Sequence, residues 1–198
     1  MRCTRESHKV KSVLGSWVKV AGRHLFYSGV VVLLSTPFFV ASAYASEASL
    51  RVAFVYNFLK FIEWPQAKNQ PISLCALGAG EATRQALAQV EKKSRQQRPV
   101  HIIYLDNNAD VGNSLDSCQL VYRPVSGEHL LLPQLLPSGV LLVADEPSAS
   151  DSQVGIALIR TTDNRIEFLI NKQAVMRSGV KISSQLLKLA KKPKTERR

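Results

Sequence analysis

Four mostly apolar runs, separated by helical or turn-rich segments, constrain the fold of this chain most. They read PISLCALG (71–78), VHIIYL (100–105), CQLVYR (118–123) and GVLLVAD (139–145). Strands that are apolar at every position are typical of parallel sheets covered by helices on both faces. Between the first two runs, EATRQALAQVEKK (81–93) has apolar residues at helical spacing. We therefore expect a three-layer α/β sandwich with a mostly parallel sheet.

The pattern changes beyond residue 153. Residues 154–171 contain two strand-like runs around the turn residues 162–164, which predicts an antiparallel C-terminal hairpin at one edge of the sheet. The segment 126–139 predicts a short helix interrupted by Pro133. Residues 106–117 are turn-rich, with room for one short helical turn.

The first 45 residues have the features of a secretory signal peptide. Six basic residues precede an apolar run at 25–41, and Ala43 and Ala45 then occupy the −3 and −1 positions of an A-x-A site. We expect cleavage after Ala45 and export to the periplasm. The run contains Pro37 and is too short for a typical membrane span. An uncleaved anchor, or a start codon further downstream, remains an open alternative.

Removal of residues 1–45 defines the expected domain organisation. One α/β domain follows at 46–192, with a basic tail at 193–198. The removal also lowers the formal net charge from +11 to +6, because six basic residues and one Glu leave with the leader. Residues 191–198 carry +4 of the remainder. No basic stripe interleaved with aromatic residues is present, so we do not expect a nucleic-acid partner.

Two cysteines, Cys75 and Cys118, remain after the leader with Cys3 is removed. An even pair in an oxidising compartment predicts a disulfide, and both residues lie in strand-like runs that adjacent strands would bring together. Two buried free thiols are the alternative. Metal binding is not expected, because no histidine lies near either cysteine.

The segment RVAFVYNFLKFIEWP (51–65) is apolar over most of a helical wheel, and predicts a helix over residues 50–63. Tyr56, Lys60 and Glu63 form a narrow polar stripe on it and are candidate partner contacts. Arg51 falls within the apolar arc, and we expect its guanidinium to extend to water. The helix is interpreted either as a core helix covered on most sides, or as one that buries one face and presents another to a partner.

No catalytic constellation is evident after residue 45. His101 and His129 are the histidines there, and no G-x-S-x-G motif occurs. Gly78 and Gly80, between a strand and a helix, form a weak candidate ligand site with no complete dinucleotide motif. Asp145 and Glu146 end the fourth run at the carboxyl edge of the sheet, where α/β proteins bind ligands. An ordinary strand-to-helix turn and a solvated acidic turn explain these two pairs equally well.

The same segments resemble the YfiR-like family. VAFVYNFLKFIEWP (52–65) is similar to the opening of its members, with the shared pattern Y-N-F-x-K-F-x-x-W-P. Residues 182–190 match its closing I-S-S-x-L-L-x-L-A, and Cys75 and Cys118 stand at its cysteine positions. The resemblance covers nearly all of 47–192. The chain departs from the family at Ser148–Asp151, where members often carry a Gly-rich segment, and it lacks the second cysteine pair that some members have.

The resemblance implies a periplasmic repressor that holds an inner-membrane diguanylate cyclase inactive by docking on its periplasmic domain. Such a repressor lowers cyclic-di-GMP, and an outer-membrane lipoprotein can sequester it. Neither catalysis nor a cofactor is expected, and a homodimer is plausible by analogy. The alternative is a periplasmic binder of a small molecule, such as a nucleotide or an amino acid. A hydrolase with a degenerate site is the least favoured interpretation, because no nucleophile–base pair is evident.

Overall fold

The apolar runs form adjacent strands of one sheet in the protein, whose structure is a computed structural model. The structure describes residues 46–64, 71–91, 94–95 and 98–192. All of them belong to one compact unit, residues 44–198. The predicted leader with its cleavage site at Ala45, Pro65 and the tail 193–198 lie outside the described residues, so leader, cleavage and domain boundaries stay predictions.

The described residues form five α-helices and nine strands. The helices are α1 (Glu47–Phe58), α2 (Glu81–Val90), α3 (Asn108–Ser114), α4 (Lys172–Ser178) and α5 (Ser184–Leu189). The strands are β1 (Ile62–Glu63), β2 (Ile72–Leu77), β3 (Ser94–Arg95), β4 (Arg98–Leu105), β5 (Leu120–Arg123), β6 (Leu141–Asp145), β7 (Ile156–Arg160), β8 (Ile166–Ile170) and β9 (Lys181–Ile182).

The main sheet has the strand order β3-β4-β2-β5-β6-β7-β8. The five strands from β4 to β7 are parallel, and β3 and β8 pair antiparallel at the two edges. Counted along the chain, the parallel strands have the spatial order 2-1-3-4-5, a common doubly wound order whose direction switches between β2 and β5. The predicted three-layer α/β fold and the C-terminal hairpin β7–β8 are confirmed.

Alternate side chains of the central strands pack into two separate cores, one on each face of the sheet. On β2, Leu74 and Ala76 join the larger core, and Cys75 and Leu77 join the smaller one. The larger core also contains buried residues of α1 and α2, whereas the smaller core contains Val111 of α3. Burial on both faces explains why the central strands are apolar at most positions.

Cys75 and Cys118 form a disulfide within the smaller core, as expected from the sequence. Their Cα atoms are 5.8 Å apart, and both side chains are buried. The register brings them together, because Cys75 lies opposite Val121 of β5 and Cys118 precedes that strand. The crosslink spans 43 residues and joins the first strand of the sheet to the segment that enters β5.

Helix α1 ends earlier than its periodicity predicts. It stops at Phe58, not near Glu63, and residues 62–63 form β1, which pairs antiparallel with β9. The amide of Ser183 also donates to the carbonyl of Phe61 at 2.9 Å. This pairing with a segment about 120 residues away in sequence satisfies the backbone better than another helical turn, and a helical wheel cannot register it.

The expected short helix at 126–139 is wrong. A 3₁₀ turn at Val125–Gly127 is followed by irregular backbone as far as β6. Pro133 and Pro137 each lack an amide hydrogen, which removes helical hydrogen bonds from a segment of this length. Conversely, the turn-rich segment 106–117 contains more helix than expected, because the side chain of Asn107 caps α3 by accepting from the amide of Asp110 at 2.9 Å.

The double substitution Cys75→Ala/Cys118→Ala should lower the free energy of unfolding of the exported protein by roughly 4 kcal/mol, because it releases a crosslink that restrains the unfolded chain. Urea denaturation measures this loss. Wild-type protein treated with dithiothreitol is the control and should lose a similar amount. Two reactive thiols in unfolded, unreduced wild-type protein would contradict the disulfide.

Candidate partner-binding surface

The outer side of α1 carries a stripe of mainly apolar side chains, with one asparagine, that the rest of the described fold leaves partly uncovered. At 100° per residue the stripe falls within one third of the helical wheel. Its members, which we call the α1 surface, are Leu50, Ala53, Phe54 and Asn57, continued beyond the helix by Phe61. Leu50 is 44% exposed, Ala53 and Asn57 are exposed, and Phe54 and Phe61 are half-buried. Such a surface is typical of a protein–protein contact.

The opposite side of α1 packs into the larger core, and its side chains Val52, Val55, Tyr56 and Phe58 are buried. The ring of Phe58 lies 5.0 Å from the ring of Phe168 on β8, and the ring of Phe54 lies 6.3 Å from it. The helix therefore has a firmly packed inner side behind its exposed stripe.

The three residues predicted as partner contacts do not share one surface. Tyr56 is only 6% exposed and belongs to the larger core. Lys60 and Glu63 are exposed, and the Nζ atom of Lys60 lies 5.7 Å from the centre of the Phe61 ring. Lys60 and Glu63 thus lie close to Phe61 in sequence, at the C-terminal end of the α1 surface. Tyr56 instead packs in the larger core beneath the helix.

Arg51 fixes α1 to the carboxyl ends of β6 and β7. Its guanidinium bonds the carboxylate of Glu47, one turn earlier, at 2.8 and 2.9 Å and that of Glu146 at 2.6 Å. Its Nη1 atom lies 3.4 Å from both Asp145 Oδ1 and the carbonyl oxygen of Leu158. Arg51 is only 5% exposed, so the expectation that its guanidinium extends to water is wrong. Three carboxylates satisfy the cation where water would otherwise be needed.

Asp145 occupies the buried side of this ionic cluster. Tyr122 of β5 donates its hydroxyl hydrogen to Asp145 Oδ2 at 2.7 Å, and Oδ1 has no hydrogen bond among the described residues. Burial raises the pKa of Asp145, and the hydroxyl of Tyr122 and the guanidinium of Arg51 oppose that rise only in part. Burial next to Asp145 also raises the pKa of Tyr122, so the hydroxyl stays a donor.

Glu146 is held in a left-handed backbone conformation, with φ of 45°. This sharp turn after β6 aims its carboxylate back at the sheet, where Oε1 accepts from Arg51 and from the amide of Arg160 at 2.8 Å. The predicted ligand-binding pair Asp145–Glu146 therefore lies at the carboxyl edge as expected. Its carboxylate oxygens, however, accept hydrogen bonds from side chains of α1 and β5 and from a backbone amide of β7.

Gly78 and Gly80 lie at the same edge, at the end of β2 where the sheet changes direction. Ser126 closes this turn, because its hydroxyl donates to the carbonyl of Gly78 at 2.7 Å and accepts from the amide of Gly80 at 3.2 Å. Gly78 has a φ of +52°, and a Cβ on Gly127 would overlap the carbonyl oxygen of Leu77. The two backbones thus touch where a ligand phosphate would have to enter, and β5 separates this turn from Asp145.

Other chemistry is sparse in the part of the chain that the structure describes. No group of three or more His, Cys, Asp or Glu side chains there is arranged to hold a metal ion. His101 is exposed on β4, at the register position opposite Ser73. Within the same residues, no helix is long and apolar enough to cross a bilayer.

The ionic cluster is the part of the site that sequence reasoning missed. A charged residue inside an apolar helical arc, Arg51, and an acidic pair ending a buried strand, Asp145–Glu146, were both visible. Their pairing was not, because 94 residues separate Arg51 from Asp145. A buried arginine is stable only with carboxylate partners, so an arginine within an apolar helical arc was the sequence feature that could have indicated these ion pairs.

A family model described as YfiR/HmsC-like (DUF4154) matches residues 48–191. The chain belongs to this family. The match begins in α1, contains both cysteines and runs beyond α5. No curated protein matches the chain. YfiR-like proteins are periplasmic, and membership supports the role of a periplasmic regulator with a protein partner in cyclic-di-GMP signalling. The disulfide fits that compartment.

Arg51→Met should lower the free energy of unfolding by about 3–5 kcal/mol near neutral pH, because buried Asp145 would lose its counter-charge. The loss should shrink in acid, where Asp145 is neutral. Urea denaturation of wild type and variant, near neutral pH and in acid, measures the loss of stability under each condition. Arg165→Met is the matched control, since its pair with Asp163 is exposed and should contribute little. Equal losses for Arg51→Met at both pH values would contradict this role.

Asp145→Asn isolates the titration of the buried carboxyl. Because folding raises the pKa of Asp145 above 3.8, the native state binds more protons than the unfolded state between the two pKa values. The stability of wild type relative to Asp145→Asn should be greatest below pH 3.8 and decrease as the pH rises through the folded pKa. A difference that grows with pH would mean that Arg51 dominates and lowers the pKa.

Proposed function

We propose that the protein is an exported, non-enzymatic regulator that binds the periplasmic domain of an inner-membrane diguanylate cyclase and represses it, lowering cyclic-di-GMP. Family membership supports the signalling system and the compartment. The observation that carries the proposal is the α1 surface, an apolar stripe on a helix whose other side is packed and ion-paired. A rigid surface of this kind suits repression, because ordering a flexible one would consume binding free energy.

The chemistry of the α1 surface suits a protein partner. Leu50 and Phe54 supply apolar area, and Ala53 lets another backbone approach closely. Lys60 and Glu63 place opposite charges at one end, which would orient the partner rather than add much affinity. The surface is thus an apolar centre with a charged rim, the usual anatomy of a specific interface.

Repression of the cyclase would follow from differential binding. A regulator shifts its target toward the inactive state only if it binds that state more tightly, and the shift equals the ratio of the two affinities. A rigid α1 surface can shift the cyclase toward its inactive state in this way without a bound ligand or a catalytic group. An outer-membrane lipoprotein that covered the same surface would relieve repression by competition, and a homodimer using it would do the same.

The small-molecule sensor is less well supported. At the carboxyl edge, the amide of Gly80 already bonds Ser126, and the carboxylate of Glu146 already bonds Arg51 and Arg160. A ligand there would have to break internal hydrogen bonds before forming its own, which costs free energy for each polar group left unpaired.

Ala53→Glu should weaken capture of the cyclase periplasmic domain by at least about 30-fold, because a charge would be buried at the centre of the interface. Cyclic-di-GMP in a deletion strain complemented with this variant should stay high. Ala88→Glu is the matched control, an exposed alanine on α2, and should restore repression. Capture is measured with protein purified from the periplasm against detergent-solubilised membranes.

Two results would count against the proposal. Unchanged cyclic-di-GMP on deletion of the gene would remove the repressor role. Equal behaviour of Ala53→Glu and Ala88→Glu would remove the α1 surface as the contact. The charge exchange Lys60→Glu/Glu63→Lys separately tests the charged rim of the α1 surface. It should slow association with the cyclase domain more than it speeds dissociation.

A further inference from the structure

The two edge regions of the main sheet differ in how their backbone groups are used. At β8, the carbonyl of Phe168 accepts from the amide of Lys191 at 2.9 Å, and the ammonium of Lys191 pairs with Glu167. At the other side, β3 pairs only with the first two residues of β4. Residues 100–105 of β4 have β2 as their one strand neighbour among the described residues. A lysine-bearing segment therefore protects the β8 edge, whereas most of the β4 edge has no such protection in this part of the chain.

The direction of the hydrogen bonds along β4 follows from its pairing with β2. The carbonyl of Leu105 accepts from the amide of Gly78, just after β2, at 2.9 Å, so Leu105 directs its backbone groups toward β2. Successive strand residues direct these groups to alternate sides, and those of Ile102 and Tyr104 therefore point away from β2. Neither residue forms an outward backbone hydrogen bond to another described residue. Two amides and two carbonyls are thus available at this edge.

The side chains along this edge suit pairing with another strand. Ile102 and Tyr104 are half-buried against the larger core, and Ile103 is half-buried against the smaller one. β-Branched and aromatic side chains pack well against each other across neighbouring strands. Residues 100–105 contain no lysine and no proline, and their pairing with β2 continues without a bulge. The usual devices that keep an edge from pairing are missing from this stretch.

We propose that two copies of this chain pair through this edge, with their β4 strands antiparallel and a two-fold axis at Ile103. In this register Ile102 lies opposite the partner's Tyr104, and Tyr104 lies opposite the partner's Ile102. Each such pair of residues exchanges two hydrogen bonds, so every open amide and carbonyl of the two copies is used. The two main sheets then form one continuous sheet. The proposal does not depend on the cyclase.

The stereochemistry of the edge favours a second copy over other occupants. Amides and carbonyls that repeat every second residue are recognised by an extended polypeptide, and neither a lipid nor a nucleic acid matches that spacing. Among polypeptides, the same strand is self-complementary, because an axis at Ile103 leaves none of the open groups unpaired. Contacts of this isologous kind close after two copies and do not propagate into fibres.

Formal charges along β4 favour the antiparallel direction. Arg95 and Arg98 lie at the start of the strand. Asp106 and Asp110 follow its end, and Arg84 pairs with Asp106 alone. Antiparallel pairing brings the basic start of one copy toward the acidic end of the other. Charges arranged in this way orient two partners more than they strengthen the contact.

This dimer leaves the α1 surface of each copy uncovered. Helix α1 is tied to the ends of β6 and β7 through Arg51 and contacts β8 through Phe54. These strands lie on the far side of the sheet from β4. A dimer through β4 is therefore distinct from one that would bury the α1 surface.

Amide hydrogen exchange tests the interface without a substitution, on protein purified from the periplasm. Sedimentation velocity between about 1 μM and 1 mM should show a monomer–dimer equilibrium, since a contact between two strands is smaller than a standard interface. The amides of Ile102 and Tyr104 should exchange at least about tenfold more slowly above the dissociation constant than below it. The amides of His101 and Ile103, which face β2 in both states, are the internal control and should exchange equally at both concentrations.

Two variants separate the backbone contact from the side-chain contact. Ile102→Pro removes one outward amide and leaves the pairing with β2 intact, because that pairing uses the neighbouring residues. Each dimer loses two hydrogen bonds, so dimerisation should weaken at least about tenfold. Ile102→Ala is the matched control, which truncates the same side chain but keeps the amide, and it should dimerise more tightly than Ile102→Pro. Near-UV circular dichroism confirms that each variant is folded, and the exchange measurement on wild type needs neither.

Three results would overturn the proposal. The first is a chain that stays monomeric up to about 1 mM. The second is a dimer in which the amides of Ile102 and Tyr104 exchange as fast as in the monomer. The third is a dimer that Ala53→Glu abolishes and Ile102→Pro leaves unchanged, which would assign the contact to the α1 surface.

Discussion

The buried guanidinium of Arg51 is the interaction on which the arrangement of this domain depends. Helix α1 precedes the first strand of the main sheet, yet it is tied to strand ends that come about 95 residues later. One cation satisfies Glu47 on its own helix and Asp145 and Glu146 at the end of β6. An arginine removed from water is tolerated only with such partners. The orientation of α1, and with it the exposed stripe, is therefore set from inside.

The disulfide has a complementary role on the other face of the sheet. It joins β2 to the segment entering β5 within the smaller core. These are the strands between which the sheet changes direction, and in many proteins of this strand order that position is a ligand crevice. Here the contact between Gly78 and Gly127 closes it. The polar carboxyl edge of the sheet is occupied by internal hydrogen bonds and ion pairs.

Apart from Val125, which precedes Ser126, the exposed large apolar side chains of the described residues belong to segments other than this closed turn. The α1 surface lies over the larger core, whereas the exposed side chains of Leu131 and Leu135 belong to a segment that packs on the smaller core. Family membership supports the role of a regulator with a protein partner, and exposed apolar side chains of this kind suit that role.

The layers, the parallel sheet, the C-terminal hairpin and the cysteine pair could all be read from the sequence. Each depends on local patterns, namely continuous apolar runs, turn residues 162–164 and an even number of cysteines in an exported chain. The early end of α1, the absence of helix at 126–139 and the burial of Arg51 could not. The first results from the pairing of β1 with β9, and the third from carboxylates brought by a different strand. The second results from Pro133 and Pro137 together with the packing of Leu130, Leu132 and Leu136 against the smaller core. Sequence patterns specify what each segment prefers alone, whereas only the tertiary structure decides which distant groups complete its hydrogen bonds and charges.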